Sequence, residues 1–382
     1  MDFSFSGEQQ QLRNSLRRYL AREYSFEARK KIVHGAGVSD AAWAGFAELG
    51  LLGVTVPEAH GGFGGNGMDL LVVMEEFGRG LVVEPYFATA VLGAALLRFG
   101  GDAGAGAHAQ ALLPQVADGS LKLAAALGER QSRHELFNVA CTATTQGGGY
   151  VLDGAKTVAL HGAQADRIIV SARTGGAQRE TAGLTLFVIG RDTPGITVSD
   201  YRTIDGMRAA DLTLGNMAVG ADAVLGRPGE AWGVIERAAE VGVAALVAEA
   251  VGAMDALHEA TLEYLKTRQQ FGMPIGRFQV LQHRAVEMFM EIEQARSLAY
   301  LAAVKLDGED AHERARAIHA AKARAGRAIK FVGQSAIQMH GGMGMTDELP
   351  ASHWFKRISM IEATLGDTDH HLAAFAALDA AS

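Results

Sequence analysis

Residues Tyr264–Gln282, YLKTRQQFGMPIGRFQVLQ, are the stretch whose reading decides the fold. Upstream of it, apolar residues recur almost without a break from Val234 to Leu265, the pattern of a helix buried on most of its faces. Gly272 followed by Pro274 is a stop signal: glycine accepts the left-handed conformation after a helix end, and proline cannot continue the ladder. Ile275, Phe278, Leu281 and Ala285 restart helical spacing on the far side. A helix, a tight turn and a second helix are therefore expected, with Arg268 and Phe271 side by side at the turn. A guanidinium fork beside an aromatic plate suits an anion with a flat ring attached. A core Phe with a solvated Arg is the plainer reading of the same pair.

At 382 residues the chain exceeds one ordinary core, so two or three domains are expected. A hydrophobic content of 48% and a mean hydropathy of +0.08 describe a soluble globular chain. The net charge of −8 and pI near 5.9 argue against a nucleic-acid or anionic-membrane surface. Cys141 is the only cysteine, which leaves no internal disulfide and fits a reducing cytosol. The first residues, MDFSFSGEQQ, lack the basic-then-apolar order of a signal peptide. The most apolar charge-free run, Pro85 to Leu97, is too short to cross a bilayer. A cytoplasmic protein is expected.

Taken in order, the chain opens with helices. Ser6 and Gln9 form a capping-box start, and Leu12, Leu16, Tyr19 and Leu20 share a helical face. Helical spacing returns from about Ser39 (Trp43, Phe46, Ala47), over Asp69–Phe77, and around Ala88–Phe99. The glycine-rich run His60–Gly67 has neither a preceding strand nor a Lys-Ser/Thr pair, so it reads as a connection rather than a phosphate loop. From Val139 the texture changes to short β-branched runs (Val139–Thr145, Tyr150–Leu152, Lys156–Leu160, Ile168–Ala172 and Leu184–Ile189) broken by glycine turns, the signature of several antiparallel strands ending near Leu225–Gly229. From Trp232 onward, periodic stretches over 232–271, 277–306, 310–339 and 368–379 predict a four-helix bundle. The order helices, strands, helices excludes the βαβ alternation of a Rossmann fold. The expected domains are 1–120 (helical), 121–228 (β) and 229–382 (bundle).

This architecture, with R-x-x-F-G at Arg268–Gly272 and the pair Phe278-Gln279, resembles the acyl-CoA dehydrogenase family. QMHGGMGMTDELP, residues 338–350, is similar to that family's Q-x-x-G-G-x-G-[YF]-x-x-E-x-P segment. The likeness covers essentially the whole chain, and its flavour is that of partner subunits in two-component enzymes such as pimeloyl-CoA dehydrogenase. The resemblance implies an α–β–α protein that binds FAD and oxidises an acyl-CoA thioester to its 2,3-enoyl derivative. It further implies an oligomer, with electrons passing to an electron-transferring flavoprotein. By the same resemblance, the FAD-contacting positions are Arg268, Phe271, Gln279, Gln338, Gly341 and Gly342. Arg suits pyrophosphate, Phe suits adenine, and glycines let backbone amides approach closely.

The chain departs from the family at the base. Its usual Tyr-Glu-Gly-Thr segment corresponds to Thr364-Leu365-Gly366-Asp367, which puts Leu365 where the carboxylate would be. The alternative position on the first bundle helix is Gly242. Asp367 and Glu249 are the replacement candidates, and a helix cap and a buried, hydrogen-bonded acid are their plainer roles. The segments lining the flavin ring also differ: Gly128-Glu129-Arg130 stands for Thr-Glu-Pro, and Val158-Ala159-Leu160-His161 for Trp-Ile-Thr-Asn. The expectation is either a dehydrogenase or the partner subunit of a heteromeric one paired with a paralogous chain. A purely structural subunit and a flavin oxidase or monooxygenase of the same fold are the alternatives. No metal is expected from Asp367, Asp369, His370 and His371, which read as a charged helix start. Lys322, Arg324, Arg327 and Lys330 read as a solvated helix face.

Overall fold

The computed structural model describes residues 5–104 and 107–380. The opening part is helical: α1 (Gly7–Glu23), α2 (Phe26–His34), α3 (Asp40–Glu48) and α4 (Gly67–Gly80). A π-helical turn at Phe87–Gly93 then runs into α5 (Ala94–Ala103), followed by α6 (Ala107–Ala117). The capping box is formed: the Gln9 N–H donates to Ser6 Oγ at 3.1 Å, and the Ser6 N–H donates to Gln9 Oε1 at 3.0 Å. Asn66 and Asp69 cap α4 in the same reciprocal way. The glycine-rich run before α4 is a connection whose shape demands glycine, since a Cβ on Gly62 would strike the Val56 carbonyl.

Eight strands follow: β1 (Leu123–Ala126), β2 (Thr142–Gln146), β3 (Gly149–Leu160), β4 (Arg167–Arg173), β5 (Leu184–Gly190), β6 (Ile196–Arg202), β7 (Arg208–Val219) and β8 (Val224–Leu225). They form one sheet in the order β6-β7-β3-β2-β4-β5-β8, with β1 added on β4. Most ladders are antiparallel, but β1 and β2 both run parallel to β4, so the sheet is mixed. The two short runs expected at Tyr150–Leu152 and Lys156–Leu160 are one strand, β3, whose register slips at two places. β6 and β7 escaped the sequence reading. The edge strand β6 has no fully buried residue, and much of β7 alternates buried with exposed positions.

The C-terminal part holds α7 (Trp232–Thr267), a short hairpin of β9 (Gln269–Gln270) and β10 (Met273–Pro274), then α8 (Gln279–Leu306) and α9 (Ala311–His340). It closes with α10 (Pro350–Ala363) and α11 (Thr368–Ala380). Four helical stretches were expected there, and α10 is a fifth. It starts with proline in its first turn, where the missing N–H costs nothing. By composition α7 is long and apolar enough to cross a membrane, but 83% of its most apolar window is buried inside the protein. It is a core helix.

The chain divides into two compact units. One comprises 32–65 and 83–242 and contains the sheet. The other comprises 1–31, 66–82 and 243–382. In this second unit α4 and α7 cross at backbone contact: a Cβ on Gly78 would collide with the Glu249 carbonyl, and one on Gly252 with that of Glu75. An ionic network flanks the crossing. Arg13 meets Glu75 at 2.6 Å, Arg296 meets Glu75 at 3.3 Å, and Arg296 grips Asp255 at 2.6 Å, which joins α1, α4, α8 and α7.

Candidate functional site

The turn after α7 is tighter than its sequence predicts. Met273 pairs with Gln270 and Pro274 with Gln269, leaving Phe271 and Gly272 as a two-residue hairpin loop. Both loop residues have positive φ, +54° and +78°, the requirement of a type I′ turn. Glycine adopts that conformation readily; phenylalanine does so at a cost. The strained residue presents its ring almost wholly to solvent, 86% exposed, with Phe278 edge-on at 6.1 Å. Arg268 closes the loop through its carbonyl, which accepts from the Ile275 N–H at 2.9 Å. Its guanidinium is exposed and has no partner among the described residues. The side-chain amides of Gln279 and Gln338 are likewise exposed and unbonded among those residues.

The second motif ends α9 beside the first. Gly341 takes φ 60° and ψ −143°, a region open only to glycine, and a Cβ on Gly341 or Gly342 would meet nothing within 4 Å. Gly344 differs: its Cβ would press on His340 and Ile337, so it serves packing. The Tyr264 and His340 rings stack at 4.6 Å and 30°, joining the end of α7 to the end of α9. His340 is fixed by its Nδ1–H, which donates to the Ala336 carbonyl at 2.8 Å, and burial lowers its pKa. Exposed apolar side chains occur at the two loops (Phe271, Met273, Met343 and Met345) and on the first half of α8 (Val280, Val286, Phe289 and Met290). The structure therefore brings Arg268, Phe271, Gln338, Gly341 and Gly342 to one end of the bundle unit, with Gln279 at the start of α8. Open glycine backbone, an unpaired guanidinium and an exposed aromatic plate fit the ADP half of a flavin dinucleotide in shape and charge.

The two candidate bases are engaged elsewhere. Glu249 is buried, and its oxygens accept from Arg357 Nε and Nη2 at 2.6 and 2.7 Å, a bidentate pair between α7 and α10. Asp367 is the N-cap of α11, its Oδ1 accepting from the His370 N–H at 2.8 Å. Both carboxylates take part in helix contacts, Glu249 between α7 and α10 and Asp367 at the start of α11. Leu365 has φ +54° in the turn between α10 and α11, and Gly242 lies inside α7.

That turn is held by residues the sequence reading placed in solvent or passed over. Lys322 is buried, not part of a solvated face, and its Nζ donates to the carbonyls of Ile361, Glu362, Thr364 and Gly366. Burial pushes its pKa down, to about 7, against the pull of Glu362 and Asp367. His371 Nε2 contacts the Leu365 carbonyl, and its Nδ1 contacts Nδ1 of His319. Burial drives both imidazoles toward the neutral form, with pKa values lowered to about 3 for His371 and about 4 for His319. No group of three or more metal-type ligands occurs among the described residues. The signal for Lys322 was present: it stands among Ala321, Ala323, Ala325 and Gly326, a run of small residues that faces packing more readily than water.

In the sheet, Lys156 donates to Glu129 at 2.6 Å and to Ser171 at 3.0 Å, all three buried. Burial works to raise the pKa of Glu129, but the Lys156 ammonium and further hydrogen bonds hold it below the usual carboxylate value. Val158 sits at the second slip of β3 with φ +54°, and its N–H donates to Asp211 at 3.0 Å. A β-branched residue in that conformation is a backbone outlier of the kind that gathers at functional segments.

The chain matches three domain families along its length: "Acyl-CoA dehydrogenase, N-terminal domain" over residues 6–120, "middle domain" over 124–217 and "C-terminal domain" over 229–377. A protein described as probable acyl-CoA dehydrogenase YngJ, from Bacillus subtilis, is 28% identical over 376 residues, 97% of each chain. A glutaryl-CoA dehydrogenase of Desulfococcus multivorans is 30% identical, covering 93% of this chain and 92% of its own. Among solved structures, a variant of the Tcur3481-Tcur3483 steroid ACAD superposes with a TM-score of 0.87 at 28% identity, over 98% of both chains.

Proposed function

The chain belongs to the acyl-CoA dehydrogenase family of flavoprotein oxidoreductases, and from that premise we propose that it serves FAD-linked α,β-dehydrogenation of an acyl-CoA as the partner subunit of a heteromeric enzyme. One asymmetry carries this reading. Glu249 and Asp367 are tied into helix contacts, and Leu365 and Gly242 occupy the usual base positions. Arg268 and Gln338, in contrast, are exposed and unpaired among the described residues, beside the bare ring of Phe271. The side chains assigned to the flavin are open to a ligand, whereas the two candidate carboxylates are already hydrogen-bonded within the chain. A paralogous chain would bring the base.

At such a site FAD supplies the acceptor for the hydride leaving the β carbon. On this chain, Arg268 would neutralise the pyrophosphate, Phe271 would offer its ring to the adenine, and Gln279 and Gln338 would donate to phosphate or ribose oxygens. Gly341 and Gly342 let backbone amides approach the phosphates without a side chain in the way. The exposed apolar side chains at the two loops and on α8 support an oligomer, since large apolar side chains left in water favour a partner surface. The relative described as Tcur3481-Tcur3483 bears a two-chain name, which agrees with a heteromer. A cytoplasmic location, an electron-transferring flavoprotein as acceptor, and the three-part division at 120 and 228 complete the proposal.

The test is Arg268→Ala co-expressed with the paralogous chain. FAD per complex should fall at least fivefold while the complex still assembles. Full loading would remove Arg268 from the flavin.

A further inference from the structure

Lys322 is wholly inside the protein, and its ammonium group faces four carbonyl oxygens: Ile361 at 2.8 Å, Glu362 at 3.0 Å, Thr364 at 2.9 Å and Gly366 at 2.7 Å. An ammonium has three donors, so none is spare. Ile361 and Glu362 lie in the last turn of α10, where the helix end is negative; the Ile361 carbonyl also accepts from the Thr364 N–H at 3.2 Å. Thr364 and Gly366 belong to the turn that follows.

One turn earlier on α9, His319 reaches the same turn through His371. Their Nδ1 atoms are 2.8 Å apart, and His371 Nε2 is 2.9 Å from the Leu365 carbonyl. A carbonyl only accepts, so His371 carries its proton on Nε2 and leaves Nδ1 bare, and His319 Nδ1–H donates to it. One turn after Lys322, a Cβ on Gly326 would collide with Thr368 Oγ1. Lys330, a turn further on, meets Glu362 at 3.0 Å, and Glu362 accepts from the Thr368 N–H and hydroxyl. Residues 319, 322, 326 and 330 are spaced as one helix face. Through side chains and a bare glycine, that face grips a turn in which Leu365 and Gly366 both have positive φ. None of these contacts uses the side chain of residue 365.

We propose that Lys322, with His319 and His371, is a positioning residue: it holds the backbone of residues 361–367 in one shape, whatever side chain stands at 365, and so presents a preformed turn to the CoA thioester. The thioester part rests on the dehydrogenase reading above; the clamp itself does not.

The experiment compares Lys322→Met and Lys322→Arg with the natural chain. Hydrogen–deuterium exchange of the amides of 363–368 is read first, with α8 as internal reference. The affinity of the co-expressed, FAD-loaded complex for acetyl-CoA is read second. Acetyl-CoA has no β carbon, so it binds without turnover. Lys322→Met should speed exchange in 363–368 at least tenfold, leave α8 unchanged and weaken acetyl-CoA binding at least fivefold. Lys322→Arg, which keeps the charge, should recover part of both effects. Unchanged exchange in Lys322→Met overturns the clamp, and faster exchange with unchanged affinity overturns its link to the thioester. A natural complex that binds no acetyl-CoA defeats the functional reading, while the exchange result still decides the clamp. Should Lys322→Met fail to fold, His371→Phe removes the Leu365 link together with the contact to His319 and leaves the Lys322 contacts in place. Exchange should then rise at 365–367 alone, and no rise overturns the proposal.

Discussion

The Tyr264 and His340 rings lie stacked, with centroids 4.6 Å apart and planes at 30°. Tyr264 is one turn before Arg268, and His340 directly precedes Gly341, so this stack sets the spacing of the two loops proposed to hold FAD. His340→Ala should therefore lower stability by roughly 1–2 kcal/mol, the worth of an aromatic pair and a hydrogen bond. It should also lower the flavin content of the co-expressed complex several-fold. Urea midpoints and the ratio of flavin to protein absorbance measure the two effects. Full flavin content with reduced stability would make the stack purely structural.

Phe271 separates function from stability in the opposite sense. Its ring is exposed and its backbone is left-handed. Phe271→Gly relieves the backbone and should raise the stability of the lone chain by up to about 1 kcal/mol. The same substitution should reduce FAD retention in the complex, because a stacking surface is gone. A loss of stability on this change would mean that the ring packs within the chain.

Glu249 and Arg357 should behave as a buried pair, not as a base and its neighbour. Glu249→Gln leaves a guanidinium without its countercharge and should cost about 3–5 kcal/mol. Glu249→Leu combined with Arg357→Met should recover most of that loss, which a double-mutant cycle on the unfolding free energy would record. Whatever complex folds with Glu249→Gln should turn over normally per flavin. Normal stability with abolished turnover would instead make Glu249 the base.

The imidazoles at the α10–α11 turn give the fold an acid limit. The folded-state pKa values of His319 and His371, about 4 and about 3, lie below the unfolded value of 6.5. Between these values the unfolded chain binds protons that the folded chain refuses. Their contribution is intact above pH 6.5 and is lost as pH falls toward 4 and then 3, at about 1.4 kcal/mol per pH unit for each group. Denaturant midpoints between pH 7 and pH 5 should fall accordingly, and His319→Phe with His371→Phe should flatten that slope.

The features legible in the sequence were those set by local backbone chemistry. Gly272 and Pro274 announced a turn, Ser6 and Gln9 a helix start, and Gly341 a loop, because each acts through its own φ or its own hydrogen bond. Features set by distant partners were not legible. The small residues around Lys322 mark a packed face, but the carbonyls some forty residues downstream that it meets are not readable from its own segment. Arg357 lies in α10, a helix passed over amid its polar residues, and its partner Glu249 lies 108 positions away. β6 and β7 are largely polar on their open face, so their pairing depends on a neighbour instead of on hydrophobic alternation.

The most direct test of the account is the FAD-to-protein ratio, read from the visible spectrum, of this chain purified alone and then with its paralogous chain. The account predicts a colourless lone chain and about one FAD per pair of chains in the complex. One FAD on each lone chain, bleached by an acyl-CoA without any partner, would contradict it.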